Sequence, residues 1–117
     1  MSEAKTGGCH CGTVRYSVTG TFDSAITCNC SICQKTGTML AFVPMEQFTL
    51  LQGEDNLQDY QFNKMQIHHL FCKTCGIRSF ARGTGPDGKA MAAVNLRCLD
   101  DVDLGALKLT SFDGKKL

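Results

Sequence analysis

The chain has no tryptophan, only two prolines and two tyrosines, and no apolar run near the roughly 18–20 residues that a bilayer span needs. No membrane-spanning segment is expected. One-signed charge is missing as well: 12 Lys and Arg stand against 11 Asp and Glu, a formal net charge of +1. That balance leaves no field to draw a phosphate backbone or an acidic lipid surface, so nucleic acid is not an expected partner. The opening residues, Met1-Ser2-Glu3-Ala4-Lys5-Thr6-Gly7-Gly8, lack the apolar stretch of a secretory signal. A cytoplasmic location is the expectation. No window carries a sustained 3.6-residue apolar stripe, and there are no repeats or low-complexity tracts.

Against these absences stands a surplus of eight cysteines in 117 residues. With 43% hydrophobic and 20% charged residues the chain reads as one globular domain, residues 1–117, with a modest core that metal clips could supplement. Seven of the cysteines fall into three tight groups: Cys9-His10-Cys11, Cys28-Asn29-Cys30-Ser31-Ile32-Cys33 and Cys72-Lys73-Thr74-Cys75. Disulfide frameworks staple distant segments, whereas zinc draws several thiolates to within about 2.3 Å of one point. Crowding of this kind therefore points to metal.

The rest of the pattern is mostly β, in short antiparallel strands. Val14, Tyr16 and Val18 alternate with Arg15, Ser17 and Thr19 up to Gly20, the mark of a half-buried strand. Further strands are expected at 39–43, 48–51, 57–62, 67–71, 76–81, 90–96 and 107–110. One helical turn is expected at 44–48, with Pro44 at its first position, a polar corner at Asn63-Lys64, and a turn over 83–88.

A closed structural zinc takes four ligands, and a catalytic zinc keeps three plus an open position. Seven clustered cysteines divide as four plus three. Cys72-Lys73-Thr74-Cys75-Gly76 has the form of a zinc knuckle, with Gly76 free to take positive φ. In an extended Cys9-x-Cys11 both sulfurs share one face, and Gly7, Gly8 and Gly12 let the chain bend around an ion. Together these four form a structural clip between segments far apart in sequence. Cys28, Cys30 and Cys33 then supply three thiolates and a vacancy for an outside thiol, which zinc would hold as its anion. The competing reading is a second structural zinc completed by His10, His68, His69 or Cys98. Cys98 is otherwise an inert buried thiol, and His68 and His69 sit on opposite faces of one strand. Lys35 follows the trio closely enough to offset its charge or to hold a substrate carboxylate.

Gly8-Cys9-His10-Cys11-Gly12, Cys28-Asn29-Cys30-Ser31-Ile32-Cys33-Gln34-Lys35-x-Gly37, Phe71-Cys72-x-x-Cys75-Gly76 and Asn95-x-x-Cys98-Leu99-Asp100 together closely resemble the glutathione-dependent formaldehyde-activating enzyme family, which includes centromere-protein relatives. The likeness runs from about residue 7 to 100. It implies a β-tent of small sheets similar to the Mss4-like zinc folds. It also implies two zinc ions per chain, structural on Cys9, Cys11, Cys72 and Cys75 and catalytic on Cys28, Cys30 and Cys33. The implied chemistry joins glutathione, the small-molecule partner, to formaldehyde as S-(hydroxymethyl)glutathione, formally a carbon–sulfur lyase step in reverse. Two other functions compete with it: a non-catalytic zinc module for protein interaction, and a thiol redox or metal-handling protein. Nothing in the sequence sets an oligomeric state.

Overall fold

Tyr16 is the residue around which the two sheets meet. Its alternating neighbours Val14 and Val18 are, like it, fully buried, while Arg15 and Ser17 are half-buried on the other face of the strand. The computed structural model describes residues 3–20, 22–29, 31–61, 67–84 and 88–112. Strands β1 (Glu3–Gly8), β2 (Arg15–Gly20) and β5 (Phe48–Gln52) form a three-stranded antiparallel sheet in the order β1-β2-β5.

The second sheet has seven strands in the order β10-β3-β4-β9-β8-β7-β6. These are β3 (Ser24–Cys28), β4 (Leu40–Pro44), β6 (Leu57–Tyr60), β7 (His68–Cys72), β8 (Phe80–Thr84), β9 (Ala90–Asn95) and β10 (Lys108–Phe112). A single six-residue helix, α1 (Ser31–Thr36), follows β3. The fold is mostly β, as the sequence predicts. All pairings are antiparallel except that of β10 with β3, which is parallel.

Aromatic rings join the sheets. Tyr16 and Phe48 from the small sheet meet Phe80 from the large one, with centroids 5.0, 5.8 and 4.6 Å apart. Such pairs add stabilisation beyond their buried area. The Tyr16 hydroxyl donates to the Ser79 carbonyl at 3.2 Å, which satisfies its polar end inside the core, and burial pushes its pKa up. At the start of β2, the central strand of the small sheet, Arg15 donates to both oxygens of Asp100 at 3.3 and 2.5 Å, and Thr6 donates to one of them at 2.7 Å.

Several boundaries differ from the sequence expectation. The strand expected over 76–81 begins only at Phe80. The carbonyls before it are already taken: Ile77 accepts from the Cys72 N–H at 3.1 Å, and Arg78 and Ser79 accept from Asn95 at 2.9 and 3.1 Å. Pro44 ends β4 and caps a turn at Met45–Gln47 instead of starting it. Gly7 and Gly8 lie within β1, and closeness rather than bending requires them. A Cβ on Gly7 would sit 2.6 Å from the Cys98 carbonyl oxygen, and one on Gly8 would sit 2.0 Å from that of Val14. Strands β1 and β3 and helix α1 had no counterpart in the expected elements. The Asn63-Lys64 corner and the middle of the 83–88 turn lie outside the described residues.

Candidate metal centre and thiol site

Two short turns bring four sulfurs together. Cys9 and Cys11 sit in the link between β1 and β2; Cys72 ends β7 and Cys75 follows it. Each turn closes on a glycine with positive φ, Gly12 at 83° and Gly76 at 77°, and each glycine N–H bonds back to the carbonyl of the first cysteine, at 3.3 and 2.8 Å. No neighbouring atom crowds either glycine, so conformation alone calls for it.

The ligand atoms of Cys9, Cys11, Cys72 and Cys75 all lie within 4.8 Å of one another, with Cys11 Sγ 3.6 Å from both Cys9 Sγ and Cys72 Sγ. A tetrahedron with zinc–sulfur bonds of about 2.3 Å has sulfurs about 3.8 Å apart. The corner therefore fits a zinc-sized ion, and no disulfide joins these four cysteines. The chain can hold one metal ion here.

Hydrogen-bond donors surround the sulfurs. The Val14 N–H donates to Cys9 Sγ at 3.3 Å, the Asn56 amide donates to Cys72 Sγ at 3.3 Å, and the Thr13 hydroxyl lies 3.2 Å from Cys11 Sγ. Backbone N–H groups of Cys75 and Thr74 lower the Cys72 pKa, and Thr13 lowers that of Cys11. Burial opposes ionisation of Cys75, but N–H groups of Cys11 and Ile77 outweigh it. Cys9 is the exception, pushed up to about 11 by burial. Three thiols thus lean toward the anion, and the fourth needs the charge of an ion to lose its proton.

Asn56 and Thr13 were not among the residues singled out from sequence. Asn56 belongs to the turn Glu54–Asn56 before β6, and its carbonyl accepts from the Lys73 N–H at 2.8 Å, so the turn docks on the knuckle itself. Thr13 could have been noticed as the residue after Cys-His-Cys-Gly; nothing in the spacing marks Asn56.

The other expected site residues lie elsewhere. Cys28 closes β3 and Cys33 lies in α1, both half-buried, and neither belongs to the four-sulfur group. Cys30 lies outside the described residues. Lys35 is exposed in the last turn of α1. His68 is exposed, with Nδ1 2.6 Å from Asp59 Oδ2, whereas His69 is half-buried and its pKa is lowered by burial and by Arg78. His10 is exposed between two ligands. Cys98 is half-buried, with Sγ 3.6 Å from the Asn95 amide nitrogen, and burial pushes its pKa up to about 11. It is a neutral thiol at neutral pH.

Two β-sheets sharing one core, with a four-cysteine corner able to hold a metal ion where the smaller meets the larger, define a small β protein with a candidate metal centre. The family described as glutathione-dependent formaldehyde-activating enzyme matches residues 4–111, and the chain belongs to it. A crystal structure of a Rhodobacter sphaeroides protein is also similar, at 32% identity over 90% of this chain and 99% of that one, with a TM-score of 0.77. Among the described residues no helix is long and apolar enough to cross a membrane.

Proposed function

We propose that the chain is a zinc-dependent carbon–sulfur lyase acting on a small thiol adduct, of the S-(hydroxymethyl)glutathione synthase type. The observation that carries this reading is the division of the cysteines within a chain of this family. The corner draws in Cys9, Cys11, Cys72 and Cys75 and leaves out Cys28 and Cys33. In this reading the corner is structural, and Cys28, Cys30 and Cys33 hold a second zinc with an open position, two ions per chain. A zinc ion there supplies the positive charge that keeps an incoming thiol, such as that of glutathione, as its thiolate.

The chain's own residues supply position. Cys28 is held by the parallel pairing of β3 with Phe112 of β10, and the Asn29 N–H continues the ladder to the Phe112 carbonyl at 3.2 Å. The Cys33 carbonyl accepts from the Gly37 N–H at 3.0 Å, which closes α1. Held between these elements, a thiolate meets the carbonyl carbon in one orientation, which lowers the entropic barrier. A carbon–sulfur bond forms, the carbonyl π pair moves to oxygen, and oxygen takes a proton. Reversal breaks that bond, and the sulfur recovers the electron pair. Lys35 offers a charge for a substrate carboxylate from the end of α1. Residues 1–117 are read as one domain, supported by a core that draws on both sheets. Thiols given over to metal need a reducing compartment, which supports a cytoplasmic location.

The test is Cys33→Ser. Zinc should fall from two ions per chain to one, the melting curve should stay cooperative, and glutathione–formaldehyde exchange followed by NMR should drop to the uncatalysed rate. One zinc per wild-type chain, or an unfolded variant, overturns the reading in favour of a structural module.

A further inference from the structure

A cavity of about 550 Å³ lies between the metal corner and the end of α1, within the volume range of small-molecule sites. It runs from Cys9 and His10 to Thr36, the last residue of the helix that carries Cys33. Its charged lining is unequal. Arg78 and Arg97 contribute two guanidinium groups, and the lone carboxylate, Asp100, is already bonded to Arg15 and Thr6. Arg97 uses its Nε on the Gly37 carbonyl at 3.3 Å.

Arg78 is the less satisfied of the two. Its Nη1 is buried and has no hydrogen-bond partner, while its guanidinium lies over the Phe71 ring at 5.1 Å. A buried charged donor without an acceptor is costly, and an anion is the partner that relieves it best. The Cys33 thiol is among the charges acting on this guanidinium, and Thr36, three residues after Cys33 on α1, lines the same cavity as Arg78. Lys35 is not among the residues lining the cavity.

We infer that Arg78 is the specificity residue of the thiol site, holding a carboxylate of a small anionic thiol whose body fills this cavity while its sulfur reaches the Cys28, Cys30 and Cys33 group. This rests on the function proposed above and adds to it the residue that reads a carboxylate of the thiol. Arginine suits the task because its planar fork can take both carboxylate oxygens.

The test separates the carboxylate from the sulfur. S-Methylglutathione, whose sulfur carries no proton to lose, and its dimethyl ester are titrated by calorimetry into zinc-loaded wild type, Arg78→Gln and Arg78→Lys. Wild type should bind the acid about 10–100-fold more tightly than the ester, as for a charged hydrogen bond. Arg78→Gln should remove most of that ratio by weakening the acid alone, and Arg78→Lys should keep part of it. A ratio near one in wild type, or one unchanged in Arg78→Gln, overturns the inference. Equal loss of both ligands in Arg78→Gln also overturns it, because that marks a structural role. The zinc count of Cys33→Ser is read separately, so failure of the thiol site and failure of Arg78 give different results.

Discussion

The side-chain amide of Asn56 donates to Cys72 Sγ across 3.3 Å and to Thr74 Oγ1 across 3.0 Å. A residue outside every cysteine group thus holds both a metal ligand and the turn that presents it. Donors to ligand sulfurs spread the negative charge of a four-thiolate site and fix the orientation of its lone pairs. Asn56→Ala should therefore weaken the corner's zinc affinity by about 10–100-fold. Asn56→Asp, which sets an anion against a thiolate, should weaken it further. Competition with a chromophoric chelator measures both, and an unchanged affinity in Asn56→Ala would show that the bond has no bearing on the metal.

The corner was legible in the sequence because its parts are local. Cys-x-Cys and Cys-x-x-Cys-Gly each specify a turn within five residues, and only their pairing depends on the fold. Strand β2 was legible for the same kind of reason, since Val14, Tyr16 and Val18 mark one buried face by alternation alone. Strand β1 carries no such mark: Lys5 and Thr6 become strand residues by pairing with Val18 and Ser17. The exposed β10 was expected as a strand over 107–110, but its parallel partner some 80 residues earlier was not legible, because pairing across that distance has no local mark. Asn56 and Arg78 were invisible because their contacts require the turn before β6 and the segment after the knuckle to have reached their places.

Cys75→Ser should unfold the chain or leave it melting without cooperativity. Structural zinc in small domains binds with an apparent 10–16 kcal/mol, roughly the size of a domain's whole net stability of about 5–15 kcal/mol. Here the ion would tie the β1–β2 link to the end of β7, which joins the two sheets. A strong chelator added to wild type should reproduce the effect. Cys98→Ser is the control: its thiol is outside the four-sulfur group, so zinc content should be unchanged. Circular dichroism melts with zinc analysis decide the matter, and a Cys75→Ser variant melting like wild type would remove the structural role.

The pair Arg15–Asp100 predicts a small acid dependence. Arg15 first, then Thr6, hold the Asp100 carboxyl below its ordinary range by bonding its anion. A depressed folded pKa contributes stability that is fully present above the unfolded value of about 4 and lost as pH falls through the folded one. Both side chains are part-exposed, at 32% and 44%, so the contribution should be under about 1 kcal/mol. Asp100→Asn should be less stable than wild type at pH 7, and the gap should narrow as pH falls below about 4. Denaturant titrations of the two zinc-loaded proteins side by side, from pH 7 down to the lowest pH at which both keep their metal, measure the difference. A gap that stays constant over that range below pH 4 would mean that ionisation is not its source.

Two glycines beside the corner should fail in different ways on gaining a methyl group. Gly76 faces open space, so Gly76→Ala pays only for holding φ near 77°, about 1–2 kcal/mol. Gly8→Ala meets a backbone oxygen instead, the Val14 carbonyl at 2.0 Å. That carbonyl cannot withdraw freely: it accepts from the Cys9 N–H at 3.1 Å, and the Val14 N–H donates to Cys9 Sγ. Relief of the clash must shift a metal ligand. Gly8→Ala should therefore cost about 3 kcal/mol or more and lower zinc affinity as well, whereas Gly76→Ala should melt earlier with its affinity nearly intact. Parallel melts and chelator competition on the two variants distinguish strain from collision, and equal losses of metal in both would show that the β1–β2 link does not transmit its packing to the sulfurs.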